Sequence, residues 1–203
     1  MTFLTSFLQG RFPNKLKVAS VVPIYKSDNR TLLTSYRSIL VLPVFFQKIM
    51  FNRITDFVTK NKILNDNRYG FREQRSTYMA LLQLLGKVTN ELDNNHYSIR
   101  VFLNLSKAFD TINHGILIDK LQCYGIRGVA TNWIHNYHLN RSQYVCINGV
   151  NSPINCGIPQ GFILGPLLFI LYINDIAQIS KTMKLILFAD NTNICMSDKC
   201  FDS

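Results

Sequence analysis

The feature that most constrains this chain is an apolar run from Phe162 to Ile173, twelve residues interrupted only by the backbone-special pair Gly165 and Pro166. A bilayer-spanning helix needs about 20 apolar residues. This run is too short to span and too greasy to leave in water, so the rest of the chain must cover it. The chain has the material to do so. Its 203 residues are 47% hydrophobic and 17% charged, the composition of a core-forming polypeptide and not of a disordered tail. That length suits one large domain or two small lobes and buries roughly 70% of the unfolded surface.

Charge is unevenly placed. Residues 1–100 carry 15 basic and 6 acidic side chains, whereas residues 101–203 carry 7 and 6. A basic first half suits a polyanionic partner docking there, and a solubility charge with no partner is the alternative. The N-terminal M-T-F-L-T-S-F-L-Q-G-R-F has no basic leader before its apolar stretch, so it makes a poor signal peptide. Cys123, Cys146, Cys156, Cys195 and Cys200 are odd in number and contain no C-x-x-C pair, which reads as reduced core thiols of an intracellular protein. His135 and His138 share one helical face, but no second pair stands at a zinc-like spacing, so they read as surface histidines.

Periodicity gives a coarse map. Residues 17–25 are β-branched and lead into Ser27-Asp28-Asn29, which reads as a strand and a hairpin turn. Val44, Phe45, Ile49, Met50, Ile54 and Phe57 follow helical spacing and predict a helix to about Lys60. A second helix is expected over about 77–92, introduced by a loop holding Arg68, Arg72 and Arg75. Residues 98–105 read as a buried strand, 112–125 and 129–138 as helices, and 143–150 as a strand ending in an Asn-Gly turn. The apolar run predicts a helix to about Ile176, and Lys184 to Cys195 predicts a hairpin with Asp190-Asn191 at its tip. Strands, a hairpin and helices in this mixture point to an α+β fold.

Three segments carry the chemistry: F-L-N-L-S-K-A-F-D (102–110), G-I-P-Q-G-F-I-L-G-P (157–166) and L-I-L-F-A-D-N-T-N-I (185–194). Asp-Asn alone at a hairpin tip is ordinary turn chemistry. With the other two, and with L-K-V-A-S-V-V-P-I-Y-K-S-D-N, S-Y-R-S-I-L-V-L-P-V and R-Y-G-F-R-E-Q-R-S-T-Y-M-A-L-L-Q-L upstream, the chain resembles the reverse transcriptase domain of non-LTR retrotransposons of the jockey-like group. The resemblance runs from about Phe12 to Asp198. It implies the fingers and a partial palm of a right-hand polymerase, with residues 1–98 fingers-like and 99–203 a partial palm whose antiparallel sheet is backed by helices. The family's thumb and upstream endonuclease would lie outside these residues.

The resemblance also implies roles. Two Mg2+ ions held by carboxylates would drive nucleotidyl transfer to a primer 3′ hydroxyl, and the ligand positions are 104, 190 and 191. Phe109 would abut the sugar, Gln160 and Gly161 would line the incoming deoxynucleoside triphosphate, and Lys26 and Arg37 would hold its phosphates. Arg72 and Arg75 would lie near the template strand. Implied partners are an RNA template and a DNA primer, in a cytoplasmic or nuclear setting without a membrane.

This sequence departs from the pattern where it matters most. The expected carboxylates at 104 and 191 are Asn104 and Asn191, and only Asp190 keeps its charge. A unit-charge pair about 4 Å apart is worth about 4 kcal/mol near a protein surface, and a divalent ion roughly doubles that. Losing two such charges predicts weak metal occupancy and a collapse of catalysis, with Asp110 a poor substitute six residues beyond. Phe162 stands where a small Ser is usual, Ser38 for Pro, Leu40 for Ser, and Asn113 for Asp. Each change, Asn104 and Asn191 included, can arise from one transition. The sequence therefore leaves three readings: a working reverse transcriptase, a non-catalytic RNA- or DNA-binding fragment, or a decayed relic.

Overall fold

The computed structural model describes residues 3–32, 35–41, 44–105, 108–109, 111–147, 150–154, 163–178, 180 and 183–199. In chain order the elements are α1 (Phe3–Leu8), β1 (Val18–Tyr25), β2 (Tyr36–Val41), α2 (Val44–Lys60), α3 (Thr77–Asp93), β3 (Tyr97–Asn104), α4 (His114–Cys123), α5 (Val129–His138), β4 (Ser142–Ile147), β5 (Val150–Ile154), α6 (Leu164–Tyr172), β6 (Lys184–Phe188) and β7 (Asn191–Asp198). The fold is α+β, as the sequence predicts. It forms two compact units, each built from separated stretches: residues 1–60 with 109–172, and residues 61–108 with 173–203.

The first unit wraps the apolar run. Among its described residues Leu164 to Tyr172 are α-helical, and 174–178 is a tighter 3-10 turn, so the helix ends short of Ile176. Pro166 is tolerated because it falls in the first helical turn, where no intrahelical donor is required. Leu164, Leu168, Phe169, Ile170 and Leu171 are almost completely buried, with Leu117 and Leu121 of α4. Against α5, Phe12 meets Trp133 and Tyr137 edge-on at 5.3 and 5.0 Å, and Trp133 Nε1 donates to Ser6 Oγ at 3.2 Å. Four strands form the sheet of this unit in the order β2-β1-β4-β5. The parallel β1–β4 pairing covers only Val18 to Val21, so Pro23, which lacks a donor, lies beyond it, with β2 beside it.

Several sequence expectations change. α1 and β5 lack a strong local period and escape the map, whereas β2 returns antiparallel to β1 as the expected hairpin turn requires. His138 is buried, its ring stacked on His114 at 4.6 Å, so it is not a surface histidine. Its burial, then the nearby His114, Arg141 and His135, hold its pKa well below the ordinary value. Among the described residues Cys195 is a buried free thiol, whereas Cys123 is exposed and not a core residue. Asn113, the expected Asp position, caps α4 by accepting from the Gly115 and Ile116 amides at 2.9 and 3.2 Å.

The second unit is a three-stranded antiparallel sheet, β3-β7-β6, backed by α3. Ser76 caps α3, accepting from the Met79 amide at 3.2 Å, and Ala80 packs with Tyr69 and Ile186. At the far end, buried Glu91 pairs with Arg100 at 3.0 Å and accepts from Cys195 Sγ at 3.4 Å, tying α3 to β3 and β7. Burial alone would raise the Glu91 carboxyl. Hydrogen bonds from Ser98, Cys195 and Arg100, with the Arg100 charge, outweigh that and leave it below the usual range.

Candidate active site

The site is built where β3 ends and the β6–β7 hairpin turns. Leu185, Ile186 and Leu187 of β6 are buried, which fixes the register of the hairpin. Phe188 pairs with Asn191, so the two-residue tip is Ala189-Asp190 and not Asp190-Asn191. Asn191 is instead the first residue of β7, directly opposite Asn104 at the end of β3. The Leu105 amide donates to Asp190 O at 3.2 Å, so the backbone brings all three sequence-predicted positions to one corner. Ala189 sits at φ +53°, a left-handed value that costs a residue with a Cβ about 1–2 kcal/mol.

What holds the strained tip is the loop before α3. The Tyr69 amide donates to Leu187 O at 2.8 Å and the Leu187 amide donates to Asn67 O at 2.9 Å, so residues 67–69 are fastened to the edge of β6 by one parallel bridge, Arg68 opposite Leu187. Gly70 follows at once and lies against the turn. A Cβ there would collide with Ala189 N and come within 2.9 Å of Ala189 Cα and Phe188 C. Asn174 fastens the same loop from beneath, its Oδ1 accepting from the Asn65 amide at 3.1 Å and its Nδ2 donating to Ile63 O at 2.9 Å. Sequence reasoning missed Gly70 and Asn174. A glycine between two aromatics in a loop was the one available signal, and nothing local marked Asn174.

The predicted cations fall differently. Arg68, grouped from sequence with a basic loop, is completely buried and donates to Ile173 O at 3.3 Å. Arg72 and Arg75 both reach Asp66, at 3.6 and 3.8 Å, and Arg75 lies over the Tyr69 ring. Lys26 is exposed just past β1, and the backbone of Arg37, in β2, pairs with Ile24 of β1. Phe109 rests on Phe169 of α6, ring centroids 4.7 Å apart. Lys26, Arg37 and Phe109 belong to the first unit, and the Asn104–Asp190–Asn191 corner to the second. Gln160, Gly161, Phe162 and Asp110 lie outside the described residues.

A pair of divalent cations does not fit this corner. Two of its three side chains are carboxamides, each offering one neutral oxygen, and among the described residues no group of three His, Cys, Asp or Glu side chains could hold a metal ion.

The sequence profile of reverse transcriptases (RNA-dependent DNA polymerases) matches residues 24–200. This chain belongs to the reverse transcriptase family. Within it, the chain is 28% identical over 209 residues to a probable RNA-directed DNA polymerase from transposon BS of Drosophila melanogaster, covering 93% of this chain and 22% of that protein. It is 27% identical to the RNA-directed DNA polymerase from mobile element jockey of the same organism, covering 94% and 22%. The chain thus spans about a fifth of the length of these relatives. The jockey-like resemblance and the partial fingers-and-palm fold both hold. Among solved structures, apo telomerase from Candida tropicalis, truncated from its C-terminal domain, matches with a TM-score of 0.66 at 14% identity, over 97% of this chain and 48% of that one. Telomerase from the same yeast with a fragment of telomeric RNA gives 0.67 at 13%, over 97% and 39%. At such identities the likeness speaks for the reverse transcriptase fold alone. No described helix is long and apolar enough to cross a membrane.

Proposed function

We propose that this chain is a fingers-and-palm segment of a mobile-element RNA-directed DNA polymerase in which nucleotidyl transfer has lapsed. The observation that carries the reading is the strand-end corner of Asn104, Asp190 and Asn191, one carboxylate where three are expected. In the intact pattern, Mg2+ ions would activate the primer hydroxyl and hold the triphosphate. Here a trio with one negative charge cannot offset two dications. Residues 1–98 serve as the fingers-like part and 99–203 as the partial palm. Lys26, Arg37, Phe109, Gln160 and Gly161 are the proposed nucleotide-binding residues, and Arg72 and Arg75 the residues near nucleic acid. RNA template, DNA primer and deoxynucleotides, in a cytoplasmic or nuclear setting, belong to the same proposal.

Primer extension on an RNA template tests it. No product with Mg2+ or Mn2+ is expected, and templated extension by the unaltered chain would overturn the reading. The double variant Asn104→Asp with Asn191→Asp should gain a Mg2+-dependent rise in melting temperature that the parent lacks.

A second reading is favoured by the +9 balance of residues 1–100: binding of RNA or DNA without catalysis. Affinity should then fall steeply with salt while ignoring Mg2+ chelation, because phosphate contacts release counterions. Affinity that is flat between low and physiological salt would eliminate it.

A further inference from the structure

The face of the second unit's sheet that looks toward α3 holds a cleft of about 330 Å³. Its body is apolar, with Leu84 of α3 above and Phe102 and Ile186 on the sheet below, and Asn104 and Asn191 stand at one end. No charged side chain lines it among the described residues. Between Phe102 and Ile186 in the strand register lies Asn193, which also lines the cleft. Asn193 is only 7% exposed, and among the described residues neither its Oδ1 nor its Nδ2 has a hydrogen-bond partner. A carboxamide sealed away from water with donor and acceptor both unmet is costly, and buried polar groups are almost always satisfied. Loss of an active carboxylate corner does not account for it, because Asn193 is not one of the three ligand positions.

From these observations we infer that the cleft is a binding site for an uncharged, planar ring with a lactam or carboxamide edge. Such an edge presents a C=O beside an N–H and so pairs reciprocally with Asn193, accepting from Nδ2 and donating to Oδ1. Its flat apolar body suits the slot between Phe102 and Leu84, and the volume is that of a small-molecule pocket. Phe102 is 70% exposed, so its ring can swing aside to admit the ligand. A charged ligand is disfavoured, because no ion in the lining would compensate it. The inference does not depend on polymerase activity.

The test uses the full chain and three probes of one shape: 2-quinolone (a two-ring lactam), quinoline and quinoline-2-carboxylate. Titration calorimetry should give saturable binding of 2-quinolone that is unchanged by EDTA. Quinoline and the carboxylate should each bind at least about tenfold more weakly, because neither pairs both atoms of the amide. Asn193→Leu should abolish 2-quinolone binding while keeping or raising the melting temperature. No saturable binding of 2-quinolone, equal affinity for quinoline, or full affinity in folded Asn193→Leu would each overturn the inference. If that variant does not fold, the comparison of probes on the unaltered chain decides.

Discussion

Replacing Gly70 with Ala adds one methyl group where the loop before α3 presses on the β6–β7 turn. Its carbon would lie 2.9 Å from Ala189 Cα and Phe188 C, and closer still to Ala189 N. Carbon contacts are optimal at about 3.5–4.0 Å, so loop and turn must part by at least about 0.6 Å. All three obstructing atoms are backbone, so no rotamer change relieves them. The separation strains the two hydrogen bonds joining residues 67–69 to β6, each worth about 1 kcal/mol. Overpacking adds about 1–3 kcal/mol, and reduced freedom of the unfolded chain returns about 0.5–1. The net expectation is a loss of about 3 kcal/mol. With a urea m-value near 2 kcal/mol/M, the midpoint in a circular dichroism melt falls by about 1.5 M. Amide hydrogen exchange at Tyr69 and Leu187 should accelerate together. The control is Gly86→Ala in the middle of α3, where an added Cβ meets no described residue within 4 Å. Helix propensity there predicts a gain of about 0.5–1 kcal/mol. A Gly70→Ala midpoint within experimental scatter of the parent would refute the claim that this glycine seats the turn.

Other perturbations follow from buried polar groups. Glu91→Gln leaves Arg100 without its buried counter-charge and should cost about 3 kcal/mol at neutral pH by urea unfolding. Because the Glu91 carboxyl is held low in the fold, its stabilisation is present above the unfolded pKa of about 4.3 and lost as pH falls through the lower folded value, so the variant's acid profile should lack that step. His138, held low mainly by burial, and His114, held low by burial and then by His135, are folded in the neutral form. Unfolding lets them take up protons, so stability should decline as pH drops below about 6.5, and melting curves of His138→Phe should decline less. Asn174→Ala removes both contacts to the 63–65 loop, with an expected cost of about 2 kcal/mol and faster tryptic cleavage after Lys62.

Much of the α+β architecture was legible because its signals are local. Helical spacing around Met50 and Ile54 located α2, and alternation with turn chemistry located β1. The apolar stretch around Leu187 located β6, although the turn came out one residue earlier than composition suggests. That shift reflects register, set by which of Leu185, Ile186 and Leu187 must be buried across two strands. An element without a period of its own, such as β5, forms because a neighbouring edge is available to pair with.

The site divides along the same line. Sequence by itself determined the charge of the corner: two carboxamides and one carboxylate, whatever the fold does with them. It also set the basic bias of the first hundred residues, since net charge needs no partner to exist. Only the tertiary structure decided that Arg68 is buried, that Gly70 seats the turn and that Asn193, under α3, has no side-chain partner among the described residues. These depend on backbone stretches distant in sequence meeting at van der Waals distance. Such contacts arise from chain closure and packing, and leave no period or composition for a local reading to find.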